Sequence, residues 1–133
     1  MATIKQLIQK NKEAFDNGYF IESISLTYIL INKAVKQIVK EELQQELMDQ
    51  KIKTSFLLKF IKKNHLDVPG LKTKLPKKVI KDIEHFISLY KEINRELKFQ
   101  LPDKKINDTA QLGLNCTIML NTSLLKIKNN KID

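Results

Sequence analysis

The chain reads as an all-α protein, a five-helix antiparallel bundle, and three observations predict it. Apolar residues recur at helical spacing in each long segment. No stretch alternates with period two for long enough to claim a strand. The stretch Tyr19–Leu47 contains neither proline nor glycine and is apolar over more than one face, so it must be surrounded by other helices.

The first helix spans about Thr3 to Phe15, with Ile4, Leu7, Ile8 and Phe15 as its inner stripe. Asp16-Asn17-Gly18 ends it, because glycine accepts the left-handed conformation that a helix terminus needs. The link to Tyr19 is so short that the first two helices must be antiparallel neighbours. The second helix, the spine, runs to about Leu47. Ile21, Ile24, Tyr28, Ile31, Val35, Ile38 and Val39 form one face, and Leu26, Ile29 and Leu30 widen it. Glu41, Glu42, Glu46 and Asp49 crowd its negative end, where Lys51 and Lys53 offset them.

A third helix covers about Lys53–Asn64, with Ile52, Phe56, Leu57, Phe60 and Ile61 inward. The loop after it carries Val68-Pro69-Gly70 as a turn. Pro76 reads as an early residue of the fourth helix, where a missing N–H costs nothing. That helix spans about Lys77–Leu101, with Ile80, Ile83, Phe86, Ile87, Tyr90, Ile93 and Leu97 in a clean stripe, and Pro102 stops it. PDKKIND reads as a loop. Asp108 then opens the fifth helix with Gln111 as its capping-box partner, and the helix ends near Ile127 with a fraying tail.

A chain of 133 residues makes one domain and buries a core without disulfides. At 42% hydrophobic and 29% charged, its composition is that of a globular protein, not a disordered one. No apolar run is long enough to cross a bilayer, and MATIKQLIQKNKEAF lacks the apolar core of a signal peptide. The single Cys116 excludes an internal disulfide and suits a reducing cytoplasm. The net charge is +9, and its placement matters more than its size. Residues 51–81 hold ten lysines and one acid, Asp67, while the remainder of the chain is neutral. Such a segment attracts polyanions. Its plain alternative is a solvated, lysine-rich surface. The lysines placed at the interface are Lys62, Lys63, Lys72, Lys74, Lys77, Lys78 and Lys81. The last five cluster where the fourth helix presents its positive dipole end.

Metal and cofactor chemistry has no support in the sequence. His65 and His85 have no ligand partners at a known spacing, and the glycines are too scattered for a phosphate loop. Cys116 sits on an apolar helix and reads as a buried, inert thiol. The end of the fourth helix is more informative. At about 100° per residue, Arg95 projects roughly 150° from the inner stripe. Phe99 also projects outward, and Leu89 lies off the stripe. Apolar groups beside an arginine mark a partner surface, so Leu89, Arg95 and Phe99 are read as a homodimer contact.

The order of helices, the tight glycine turn and AFDNGYFIESISLTYILINKAVKQIV resemble the HEPN superfamily of bacterial toxin–antitoxin and phage-defence systems. That family's ribonuclease motif is an arginine, four residues and a histidine, late in the fourth helix. The corresponding run here is Arg95-Glu96-Leu97-Lys98-Phe99-Gln100. Arg95 fits, Glu96 fills the polar position, and Gln100 stands where the family has histidine. An amide does not exchange a proton near neutral pH, whereas metal-independent RNA cleavage needs an acid and a base. The resemblance therefore implies a dimeric, non-catalytic module in which Asn94, Arg95 and Gln100 contact RNA. Two alternatives stand beside it. One is an active endoribonuclease built on Arg95 with Glu96 or Lys98. The other is a pure interaction subunit for a nucleotidyltransferase or a toxin–antitoxin partner. No cofactor, metal or membrane is expected.

Overall fold

A computed structural model describes residues 3–43, 54–64, 73–96 and 103–132. The described residues form five helices and no strand: α1 (Ile4–Asp16), α2 (Phe20–Leu43), α3 (Thr54–Asn64), α4 (Lys77–Glu96) and α5 (Asp103–Ile132). The α-helical bundle expected from the sequence is what forms.

Thr3 starts α1 through a reciprocal cap: its Oγ1 accepts from the Gln6 N–H at 3.1 Å, and its own N–H donates to Gln6 Oε1 at 2.9 Å. The helix ends in a Schellman turn. The Tyr19 N–H reaches the Ala14 carbonyl at 2.8 Å and the Gly18 N–H the Phe15 carbonyl at 3.0 Å. This closure needs a left-handed residue, and Gly18 supplies it at φ 81°. Phe15 and Phe20 then pack edge to face across the corner, 5.3 Å between centroids. The turn lays α1 antiparallel on α2.

Helix α2 is the spine, and all four other helices touch it. Ile24, Leu30, Ile31, Ala34, Val35, Ile38 and Val39 are buried, the width of face that several neighbours require. Ile21 and Ile29 fall outside this core, being 40% and 45% exposed. Within the contact, Ser23 Oγ donates to Asn11 Oδ1 and Asn11 Nδ2 donates to Thr27 Oγ1 at 2.7 Å. Three buried polar side chains on α1 and α2 thus satisfy one another. Gly113 of α5 approaches the same place. A Cβ there would lie 2.8 Å from Thr27 Cγ2 and 2.8 Å from Phe86 Cε2, so the close approach of three helices requires glycine.

Two contacts set α5 antiparallel to α4. Near one end Lys105 pairs with Glu92; near the other Ser123 Oγ donates to the Lys74 carbonyl at 2.6 Å. Between them Ile80, Ile83, Phe86, Ile87 and Ile93 of α4 are buried, as their spacing predicts. Tyr28 and Tyr90 stack 4.2 Å apart, joining α2 to α4.

The sequence reading is also corrected in α5 and α3. Helix α5 begins at Asp103 rather than Asp108 and extends to Ile132 rather than 127. DKKIND carries no helix breaker, its first acid complements the dipole, and the Lys105–Glu92 pair ties the first turn to α4. Gln111 consequently caps nothing and donates to Asn115 Oδ1 within the helix. On α5, Ile118 is 52% exposed while Cys116 and Leu120 are buried. On α3 the buried stripe is Thr54, Leu57, Leu58 and Ile61, and Phe56 faces solvent. Asn32 of α2 sets this rotation by donating Nδ2 to Thr54 Oγ1 at 2.6 Å. Ile52, Leu97, Pro102, the 65–70 loop and the acidic stretch 44–50 lie outside the described residues.

Candidate nucleic-acid interface

The core stripe of α4 leaves its opposite side to solvent. At about 100° per residue, Lys77, Lys81, Glu84, Ser88, Lys91 and Arg95 lie within roughly 40° of one line. With a rise of ~1.5 Å per residue the line is about 27 Å long. Lys77, Lys81, Ser88, Lys91 and Arg95 are exposed along it. The lysines at the start of α4 and the arginine near its end therefore share one face.

Two acids border that face, and a neighbouring helix neutralises each. Lys62 of α3 meets Glu84 at 2.7 Å. Lys105 of α5 meets Glu92. The hydrogen bond from Lys105 holds the Glu92 carboxyl below its usual range; partial burial works the other way, and the charges of Lys105 and Arg95 help to lower it. Both carboxylates are thus paired with lysines of neighbouring helices. Among the described residues, Lys77, Lys81 and Lys91 form no ion pair.

The sequence-predicted residues divide accordingly. Lys77, Lys81 and Arg95 lie on the ridge, and Lys78 is exposed on its flank. Lys63 is exposed on α3, whereas Lys62 is engaged by Glu84. Lys74 is drawn into the packing, only 9% exposed, and leaves the surface set. Asn94 is exposed but projects about 100° away from the ridge line. Glu96 is the last residue of α4. Leu89, expected at a dimer contact, is half-buried. Lys72, Phe99 and Gln100 lie outside the described residues.

Sequence reasoning placed Phe56 in the core, and it lies on the surface beside Lys59 and Lys63. The signal that separates the two readings is Leu58. A stripe through Thr54, Leu57, Leu58 and Ile61 has helical spacing and turns Phe56 outward. Cys116 is fully buried, and burial, with the nearby Asp82 charge, pushes its thiol up to about 12. It is unreactive at neutral pH. No group of His, Cys, Asp and Glu among the described residues is arranged to hold a metal ion. No helix among the described residues is long and apolar enough to cross a membrane. No family model, no curated protein and no solved structure matches this chain.

Proposed function

We propose that this chain is a HEPN-like helical module that binds RNA through the outer faces of α3 and α4 and does not cleave it. The observation that carries the reading is the α4 ridge: four cations along about 27 Å, with each bordering acid neutralised by an adjacent helix. A row of this kind meets a phosphate backbone by charge, gives little base preference, and releases counterions on binding. Arg95 adds a planar donor fork suited to phosphate. The absence of cleavage rests on chemistry: Gln100 has no proton to exchange near neutral pH, and Cys116 is buried.

The test is a titration of fluorescent single-stranded RNA at several salt concentrations. The logarithm of the association constant should fall linearly with the logarithm of salt. Lys77→Gln and Lys81→Gln should each reduce the slope by ~0.7, the value for one phosphate contact on a single strand. The RNA should remain intact throughout. Absence of binding at low salt would refute the reading, and cleavage lost in Arg95→Ala would replace it with the ribonuclease.

A further inference from the structure

Helix α3 turns an unusual surface outward. Thr54, Leu57, Leu58 and Ile61 are buried against the bundle. At about 100° per residue, Phe56 and Lys63 lie nearly opposite the centre of that stripe, with Lys59 within about 60° of Phe56. Phe56 is 61% exposed, and Lys59 and Lys63 are exposed too. Neither lysine forms an ion pair among the described residues. Along the axis Lys59 follows Phe56 by about 4.5 Å and Lys63 by about 10.5 Å. The result is an aromatic ring with cations on the next two turns of the same face.

Burial of Thr54, Leu57, Leu58 and Ile61 turns Phe56 outward, and a phenyl ring left in water costs free energy. The ring gains a use if a flat apolar partner covers it, and the flanking charges specify a polyanionic partner. We infer that Phe56, Lys59 and Lys63 form a stacking platform for single-stranded nucleic acid, with a base on the ring and its phosphates on the lysines. This rests on the RNA-binding reading above and adds what that reading lacks, a preference for unpaired bases. In a duplex the bases are already stacked on one another, so the ring has no face to meet. A lipid surface fits less well. Interfacial helices insert a broad apolar face, and the apolar face of α3 is buried in the core.

The lysine ridge meets α3 on the flank beside this platform. Lys62 lies on the α4-facing flank of α3 and bonds Glu84 on the α4 line. A strand following the ridge therefore reaches α3 where the two helices touch.

The chain has no tryptophan, so Phe56→Trp places a single reporter at the platform. Its fluorescence should be quenched by oligouridine and left unchanged by duplex RNA of equal length or by phosphatidylserine vesicles. Phe56→Ala should weaken oligouridine binding roughly tenfold, as loss of one stacked base does. It should leave duplex binding, the salt slope and the far-ultraviolet circular dichroism as in the parent, because the side chain is exposed. Lys59→Gln and Lys63→Gln should instead each lower the salt slope by ~0.7. The inference is overturned, with RNA binding intact, if Phe56→Ala binds single strands as the parent does. It is also overturned if vesicles, rather than oligouridine, change the tryptophan emission. Failure of the parent protein to bind any RNA at low salt would overturn the RNA-binding reading and the platform together.

Discussion

Two regions treat their polar groups in opposite ways. Where α1, α2 and α5 meet, Asn11, Ser23 and Thr27 are buried and bond one another, with Gly113 packed tightly beside them. On the outer face of α4, the acids are paired off by Lys62 and Lys105, while Lys77, Lys81 and Lys91 point to water. The inner set turns inward: Asn11 accepts from Ser23 and donates to Thr27, which fixes how α1 docks on α2. The outer set is left open toward anions. A polar side chain whose partner is already inside the bundle stabilises the fold, and one whose competitors are removed is available to a ligand.

This contrast predicts that substitutions in the two regions will separate stability from binding. The largest loss of stability is expected from Phe86→Ala, which empties a fully buried site in α4 and should cost about 3–5 kcal/mol in denaturant unfolding. Gly113→Ala should cost about 1–3 kcal/mol, because the added methyl must displace Phe86 or Thr27. Asn11→Ala should cost a similar ~1–3 kcal/mol by stranding Ser23 and Thr27. RNA affinity of the folded fraction should be unchanged in all three. A strong loss of affinity in any of them would blur the distinction between the regions.

On the ridge the order reverses. Lys91→Gln should change unfolding by no more than ~0.5 kcal/mol but reduce RNA binding, measured by fluorescence anisotropy. Glu84→Gln removes an acid and frees Lys62. As an exposed pair its stability cost should stay below ~1 kcal/mol, while RNA binding tightens. Near neutral pH Cys116→Ala should leave the pH dependence of stability untouched. The thiol's folded value, about 12, lies above its ordinary 9.0, so burial disfavours the thiolate. Its contribution is fully present below pH about 9 and is lost as pH rises toward about 12. The denaturation midpoint of the parent should therefore fall more steeply across that window than that of Cys116→Ala.

Legibility differed between the same two regions. The α4 stripe from Ile80 to Ile93 was readable because every turn repeats one apolar pattern against polar neighbours. The Gly18 corner was readable because so few residues separate two amphipathic segments. Helix α3 was ambiguous: Phe56, Leu57, Leu58, Phe60 and Ile61 offer two overlapping stripes. Leu58 favours the second stripe, and the tertiary bond from Asn32 to Thr54 holds it in place. The start of α5 was misplaced for a related reason. Asp108 and Gln111 carry a capping signature, but the contact that stabilises the preceding turn reaches across to Glu92. Of the interface, the excess of lysine was visible in composition. Its alignment with Arg95 followed from helix geometry, whereas the neutralisation of Glu84 and Glu92 came from neighbours distant in sequence.

The most direct test compares two variants of equal charge. One carries Gln in place of Lys77, Lys81 and Lys91 on α4; the other carries Gln in place of Lys5, Lys10 and Lys12, all exposed on α1. Both are titrated with single-stranded RNA across a salt series. If the ridge is the contact surface, the α4 variant loses about 2 in the salt slope, and the α1 variant retains the parent slope. Equal losses in the two variants would mean that net charge alone attracts RNA, and would contradict a defined interface on α4.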